Sequence, residues 1–378
     1  MFYALIKRTI LSSLLLTACF IATSTLAADT KKAKIVFISV ATDTEAYWGD
    51  IHALAQAAAK DLGVDLEILL SNRNHLAAIE LATEVSKRET KPDYAIVVGE
   101  KLIASSSIPQ LTENGIKVLM FGSLTEEEKA TIGEPREKNP DFIGKISIDD
   151  YSAGYLSAEL MVKTAIEKKL HDAEGRINFL ALEGVRKTPF NSNRVRGLND
   201  VLKKYPEARV IQSVHTDWTY EDATRITPLM LQRHAEHKIA GFWCANSALA
   251  RGVADSVKSL GKTPGVDFIT VGTDWGAEAV QSVSSGDVLG ITGGHVAAAA
   301  WIVTLIHDYH NGIDFDDSVY LNKVTTMNKA FSEKFLNHFK AGNWDAIDFT
   351  RYSKTESPDL KQYDLSFSSI FDNLQSQQ

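Results

Sequence analysis

The residues of this chain best suited to hold a small molecule are aromatic, amide and charged side chains that follow short β-branched runs: Tyr47, Trp48, Arg194, Trp218, Asn246, Asp274 and His295. Flat rings cover the C–H faces of a polyol, and fixed donors and acceptors replace the water that its hydroxyls lose. Carboxylates and an arginine fork do this with short, directional, charge-assisted hydrogen bonds. Tyr47, Trp48 and Trp218 are the candidate faces; Arg194, Asn246 and Asp274 are the candidate polar clamp, with Asp217 and Trp275 as further members. Each has a plainer alternative. The aromatics can pack the body of the fold, Arg194 can pair with an acid on its own helix, Asn246 can cap a helix starting at Ser247, and Asp274 can cap one near Gly276.

Other chemistries find less support. His234 and His237, like His307 and His310, sit three apart and can share a helix face, but no third ligand is evident beside either pair. Both pairs read as solvated surface, and no metal is expected. The chain has no glycine-rich phosphate loop, zinc signature, nucleophile elbow or dinucleotide fingerprint. No cofactor is therefore expected, and the common α/β enzymes are disfavoured. Two acids such as Asp217 and Asp274 would suit a glycosidase, but ligand binding explains them as well, so the chain reads as a binding protein without catalysis.

The candidate residues are positioned by alternating strands and helices, the rhythm of βαβ units and a parallel sheet. Strands are expected at 35–40, 65–70, 94–98 and 118–121, with Ile51, Leu54, Ala55, Ala58 and Leu62 at helical spacing between the first two. Residues 125–141, with Glu126-Glu127-Glu128, Gly133, Pro135 and Pro140, break the rhythm and read as a solvated loop. Strands resume at 143–148, 177–182, 210–214, 239–243, 268–271 and 288–292. The fold class is α/β with two lobes. In such sheets ligands bind beyond the carboxyl ends of the strands.

With 378 residues, 44% hydrophobic and 23% charged, the chain has the composition of an ordinary globular protein of two domains. A formal charge of −8 and the lack of a long Lys or Arg run argue against nucleic acid as a partner. Lys7 and Arg8 precede an apolar stretch over 10–21 and then Thr25-Leu26-Ala27-Ala28, the order of a secretory signal peptide cleaved after Ala27. Cleavage would remove two positive charges and leave −10. An uncleaved membrane anchor is one alternative; lipid attachment at Cys19, after Leu16-Thr17-Ala18, is another. After cleavage at Ala27 only Cys244 remains, so no internal disulfide can form.

Five short motifs carry a resemblance: Glu45-Ala46-Tyr47-Trp48, Ile148-Asp149-Asp150-Tyr151-Ser152-Ala153-Gly154, Asn193-Arg194-Val195-Arg196-Gly197, Trp243-Cys244-Ala245-Asn246-Ser247 and Val271-Gly272-Thr273-Asp274. In their order and spacing, from about Lys34 to Lys323, the chain resembles the type I periplasmic solute-binding proteins of the ribose, galactose and autoinducer-2 group. The resemblance implies two Rossmann-like lobes joined by a three-strand hinge that closes on a ligand. It divides the chain into a signal peptide (1–27), a first lobe of 28–148 plus 294–319, and a second lobe of 149–293 plus 320–378, with crossings near 148–149, 293–294 and 318–321. By position, Tyr47 and Trp48 look like the stacking aromatics, Arg194 like the ligand arginine, Trp218 like the second-lobe aromatic, and Asn246 and Asp274 like the polar clamp.

The chain departs from that pattern in its first lobe. Gly122-Ser123 stands where ribose-type members place an Asp-Arg pair, and Gly99 where they place an amide. Gly294-His295 falls at the last clamp position, where His295 is either a substitute donor or the start of a helix. A tail beyond Lys323 is expected to pack on the second lobe. The resemblance implies a periplasmic, monomeric protein that captures a small polar, sugar-like ligand for an inner-membrane ABC permease, or alternatively for a membrane sensor kinase.

Overall fold

The computed structural model describes residues 32–339 and 342–375. The candidate signal over 1–27, with Cys19, lies outside them. Among the described residues no helix is long and apolar enough to cross a membrane.

The first lobe begins with strands Lys34–Ser39 (β1), Asp65–Leu70 (β2), Tyr94–Val98 (β3), Lys117–Phe121 (β4) and Phe142–Ile148 (β5). Helices Ala46–Asp61 (α1), His75–Lys87 (α2), Ile103–Thr112 (α3) and Glu126–Ile132 (α4) connect them. The second lobe repeats the plan with Ile177–Glu183 (β6), Ala208–His215 (β7), Ile239–Cys244 (β8), Ile269–Thr273 (β9) and Gly290–Gly293 (β10). Its helices are Asp150–Glu167 (α5), Pro189–Lys204 (α6), Tyr220–Arg233 (α7), Ser247–Ser259 (α8) and Ala277–Ser284 (α9). The chain then returns through Ala298–His310 (α10), which packs on α1, to Ser318–Leu321 (β11) and Thr325–Met327 (β12).

The two sheets share one strand order, β11-β5-β4-β3-β1-β2 and β12-β10-β9-β8-β6-β7. Every pairing is parallel except β10 with β12. All five residues of β3 and all seven of β6 are buried, as expected of parallel strands covered by helices on both faces. In each sheet the order reverses beside the first strand, between β1 and β3 and between β6 and β8, which opens a crevice at the carboxyl edge. β11 pairs with β5, so 318–321 belongs to the first sheet, and the chain passes to the second over 322–324.

Two expectations need correction. The stretch 125–141 is not all solvated loop, because it contains α4. Thr125 and Glu128 form a reciprocal capping box, Glu126 to Glu128 fill the first turn where the helix dipole favours anions, and Glu128 is buried.

The tail beyond Lys323 does not sit on the second lobe alone. Its helices Lys329–His338 (α11) and Phe367–Gln375 (α12) bring Phe331, Phe335 and Phe367 around Trp275, and α11 packs on α9. The turns between them reach the first lobe. Phe349 and Tyr352 lie 5.7 and 5.0 Å from the Trp301 ring on α10, and Asp308 accepts from Ser353 Oγ, the Lys354 and Thr355 amides and Tyr363 Oη. The buried Asp308 carboxylate attracts these donors because an unmatched charge there would be costly.

Candidate functional site

A cavity of about 360 Å³ lies where the carboxyl edges of the two sheets face each other, and Tyr47, Trp48, Arg194, Trp218, Asn246, Asp274 and His295 all line it. The lobes meet closely around it: the Asp50 carboxylate of α1 accepts from the Ala277 amide of α9 at 2.7 Å, and Lys101 pairs with Asp217 at 3.6 Å.

The second-lobe wall is a buried ionic network centred on Arg194, which α6 carries into the cleft. Its Nε donates to Asp150 Oδ1 at 2.8 Å, Nη1 to the Ala245 carbonyl at 2.7 Å and to Asp274 Oδ2 at 2.9 Å, and Nη2 to Asp274 Oδ1 at 2.8 Å. His295 Nε2 lies 2.8 Å from the same Asp274 Oδ1, and its Nδ1 is buried without a partner. Arg194 thus pairs with an acid on α5 and another after β9, not with an acid on its own helix.

Burial pushes the Asp150 carboxyl up to about 6 against the pull of Arg194. At Asp274 burial acts in the same sense, but Arg194 and His295 together outweigh it and hold that carboxyl below its ordinary value. Burial alone would weaken the Arg194 charge, yet Asp274 and Asp150 raise its pKa above that of a free arginine.

Local backbone geometry aims the side chains. Asp274 and Trp218 both adopt left-handed backbone, with φ of 76° and 70°. That conformation is tolerable for Asp and uncommon for Trp, and such strain clusters where a side chain must point into a site. The Trp218 indole lies over Gly184, where any Cβ would come within 2.1 Å of the ring. Asn246 takes the capping role that was its plainer alternative, and makes a second contact besides. Its Oδ1 caps α8 by accepting from the Leu249 amide, while its Nδ2 donates to the Trp218 carbonyl and fixes the strained turn. Asp274 does not cap α9, whose N-cap is Gly276, and His295 precedes α10 rather than starting it.

The first-lobe wall differs. Trp48 is buried against Phe121, with ring centres 5.9 Å apart, and Tyr47 meets His295 edge-on at 6.3 Å. Beside them Arg73 forks onto Glu45 through Nε and Nη2, with Nη1 3.6 Å from Glu100. The space above Gly122 is taken by Phe190 of the second lobe, whose ring would lie 2.7 Å from any Cβ there. An aromatic reaching across the cleft therefore fills the space where the resemblance implied an Asp-Arg pair.

Arg73 escaped the sequence reading although it follows β2, a recognised strand. The signal was its strand-end position, sharpened in the structure by left-handed backbone at Asn72 and Arg73. Two other candidates fall away. Trp275 faces the tail aromatics and donates to the Ile291 carbonyl, and Asp217 sits exposed at the rim.

Of the two histidine pairs, 234/237 is surface, with His237 exposed and His234 half-buried, whereas 307/310 is not simple solvated surface. His307 is buried and contacts Glu356 at 3.1 Å, and His310 contacts Tyr94 at 3.2 Å. Just past α7, the exposed Glu236 lies near the first pair, with ligand atoms of His234, Glu236 and His237 within 4.8 Å of one another.

Residues 35–312 match the model of a protein family described as a periplasmic binding protein domain. The D-allose-binding periplasmic protein of Escherichia coli (strain K12) is 24% identical over 245 residues, 64% of this chain and 73% of its own length. The xylitol-binding protein of Mycolicibacterium smegmatis is 26% identical over 40% of each chain. Among solved structures, a periplasmic sugar-binding protein from Pseudomonas fluorescens superposes with a TM-score of 0.78 at 28% identity, covering 90% of this chain and 99% of its own. A periplasmic solute-binding protein of an ABC transporter from Actinobacillus succinogenes, with D-allose bound, gives 0.68 at 18% identity, covering 80% and 100%. These relatives are binding proteins, not enzymes.

Proposed function

Because the chain belongs to the periplasmic binding protein family, we propose that it captures a small polar, sugar-like ligand between its lobes and presents it to an inner-membrane ABC permease. The observation that carries this reading is the meeting, in one interlobe cavity, of the Tyr47, Trp48 and Trp218 rings with the Arg194 network. Rings cover the apolar faces of a sugar; the network offers hydrogen-bonding edges already fixed by ion pairs, so little order is lost on binding. The names of the relatives, for D-allose and xylitol among others, support a monosaccharide or polyol.

Lobe closure couples occupancy to the outer shape. A ligand that binds only the closed form shifts the population toward it, and a membrane partner can recognise that form. We further propose that the mature protein lies in the periplasm as a monomer after removal of residues 1–27.

A thermal-shift screen against mono- and disaccharides, polyols, autoinducer-2, nucleosides and amino acids tests the reading, since a ligand that binds only the folded state raises Tm. A rise with one class of sugar or polyol, without turnover of the compound, is expected. A rise confined to amino acids or nucleosides, or conversion of the bound sugar, would overturn the proposal.

A further inference from the structure

The cavity carries more negative than positive charge. Three guanidinium groups line it: Arg73, Arg194 and Arg251. Five carboxylates stand against them, those of Glu45, Glu100, Glu221, Asp274 and Glu278, and Asp150 sits directly behind Arg194.

The pairings leave Glu100 and Glu221 without a close counter-charge among the described residues, and of the two only Glu100 is buried, Glu221 being exposed to water. Arg194 serves Asp150 and Asp274, Arg251 pairs with Glu278, and Arg73 commits its fork to Glu45. Glu100 is 6% exposed, yet among the described residues its only ion pair is Arg73 Nη1 at 3.6 Å, beyond hydrogen-bond reach. Its neighbour Lys101 turns to Asp217 at the rim. Burial pushes the Glu100 carboxyl up in spite of Arg73 and Lys101. A desolvated carboxylate without close donors calls for donors from whatever fills the cavity, and an ammonium group answers best because it brings both hydrogen bonds and charge.

We infer that Glu100 sets the ligand's charge: the cleft favours a sugar or polyol bearing a protonated amine, with the amine at Glu100, and rejects uronic acids and sugar phosphates. This inference rests on the sugar-capture reading and adds a specificity to it. Rejection of anions follows from the same excess, since a carboxylate placed beside Glu100 would meet like charge where little water screens it.

Calorimetric titration of the purified protein with D-glucose, D-galactose and D-allose, with D-glucosamine and D-galactosamine, and with D-glucuronate and D-galacturonate tests it. An amino sugar is expected to bind about tenfold or more tightly than its neutral parent, with no measurable binding of either uronate. Glu100→Gln, which keeps the shape, should bring amine and parent to comparable affinity. Equal or weaker binding of the amino sugars by the unaltered protein, or tight binding of a uronate, would overturn the inference while leaving sugar capture intact. Absence of binding by every probe would count against both.

Discussion

The two walls of the cleft are built from similar sheets and solve the same polar problem differently. In the second lobe, Arg194 gathers Asp150, Asp274 and the Ala245 carbonyl in a core almost without solvent, and His295, just beyond β10, reaches the same Asp274. In the first lobe, Arg73 and Glu45 form a tight pair nearer to solvent, and Glu100 stands beside it incompletely matched. One wall is an ion-paired network that holds its own shape and leaves only His295 Nδ1 unpartnered among the atoms named, and the other keeps unused acceptor capacity on a buried carboxylate. The difference teaches where to look for rigidity and where for selectivity: satisfied buried networks fix a geometry, whereas an unsatisfied group waits for a partner.

The largest expected break in that comparison is Arg194→Ala. It leaves Asp150 and Asp274 buried without their shared counter-charge, which should cost about 3–5 kcal/mol of stability and abolish ligand binding. Urea unfolding with calorimetry checks both, and a loss of stability no larger than that of a surface substitution would show that the network does not hold the second wall. Arg73→Ala should be milder, about 1–2 kcal/mol, since Glu45 can turn toward water. An equal cost for the two variants would erase the contrast between the walls.

Gly184→Ala tests how tightly the second wall aims its aromatic face. The added methyl overlaps the Trp218 ring and should cost about 1–2 kcal/mol by overpacking, with a changed tryptophan emission and weaker ligand affinity. Unaltered emission and affinity would place the Trp218 ring outside the working site.

The smallest effect is a slope. Asp150, pushed up to about 6, binds its proton more readily folded than unfolded, so its contribution to stability is fully present below the ordinary carboxyl value and is lost as pH rises through about 6. Asp274, held low, works in the opposite sense: its contribution is present above the ordinary value and fades as pH falls. Asp150→Asn should remove the first component, so that Tm from pH 4 to 7 rises more steeply than in the unaltered protein. Parallel curves for the two proteins would mean that Asp150 does not titrate in that window.

Much of the fold was legible because parallel strands announce themselves. The runs at 65–70 and 94–98 coincide with β2 and β3, and the others differ by a few residues at their ends. The helix at Glu126–Ile132 was equally legible in principle, since Thr125 and Glu128 spell a capping box, but nearby prolines and the acidic run outweighed that signal. The tail was harder. Its aromatics foretell burial but not against which lobe, and the Phe335 cluster and the Trp301 contacts turn out to divide it between the two.

For the site, the order of residues was enough to place polar and aromatic groups at strand ends, because alternating β and α segments fix where the carboxyl edges lie. It could not determine which groups would pair. Whether Arg194 meets Asp150 and Asp274, whether Phe190 occupies the space over Gly122, and whether Arg73 spends itself on Glu45 rather than Glu100 depend on distances between residues 27 to 80 positions apart. Local sequence encodes propensity and period, but the strength of a charge pair depends on separation and on how much water has been excluded. Both are set only when each lobe has folded, and the filling over Gly122 only when the two lobes pack around the cleft.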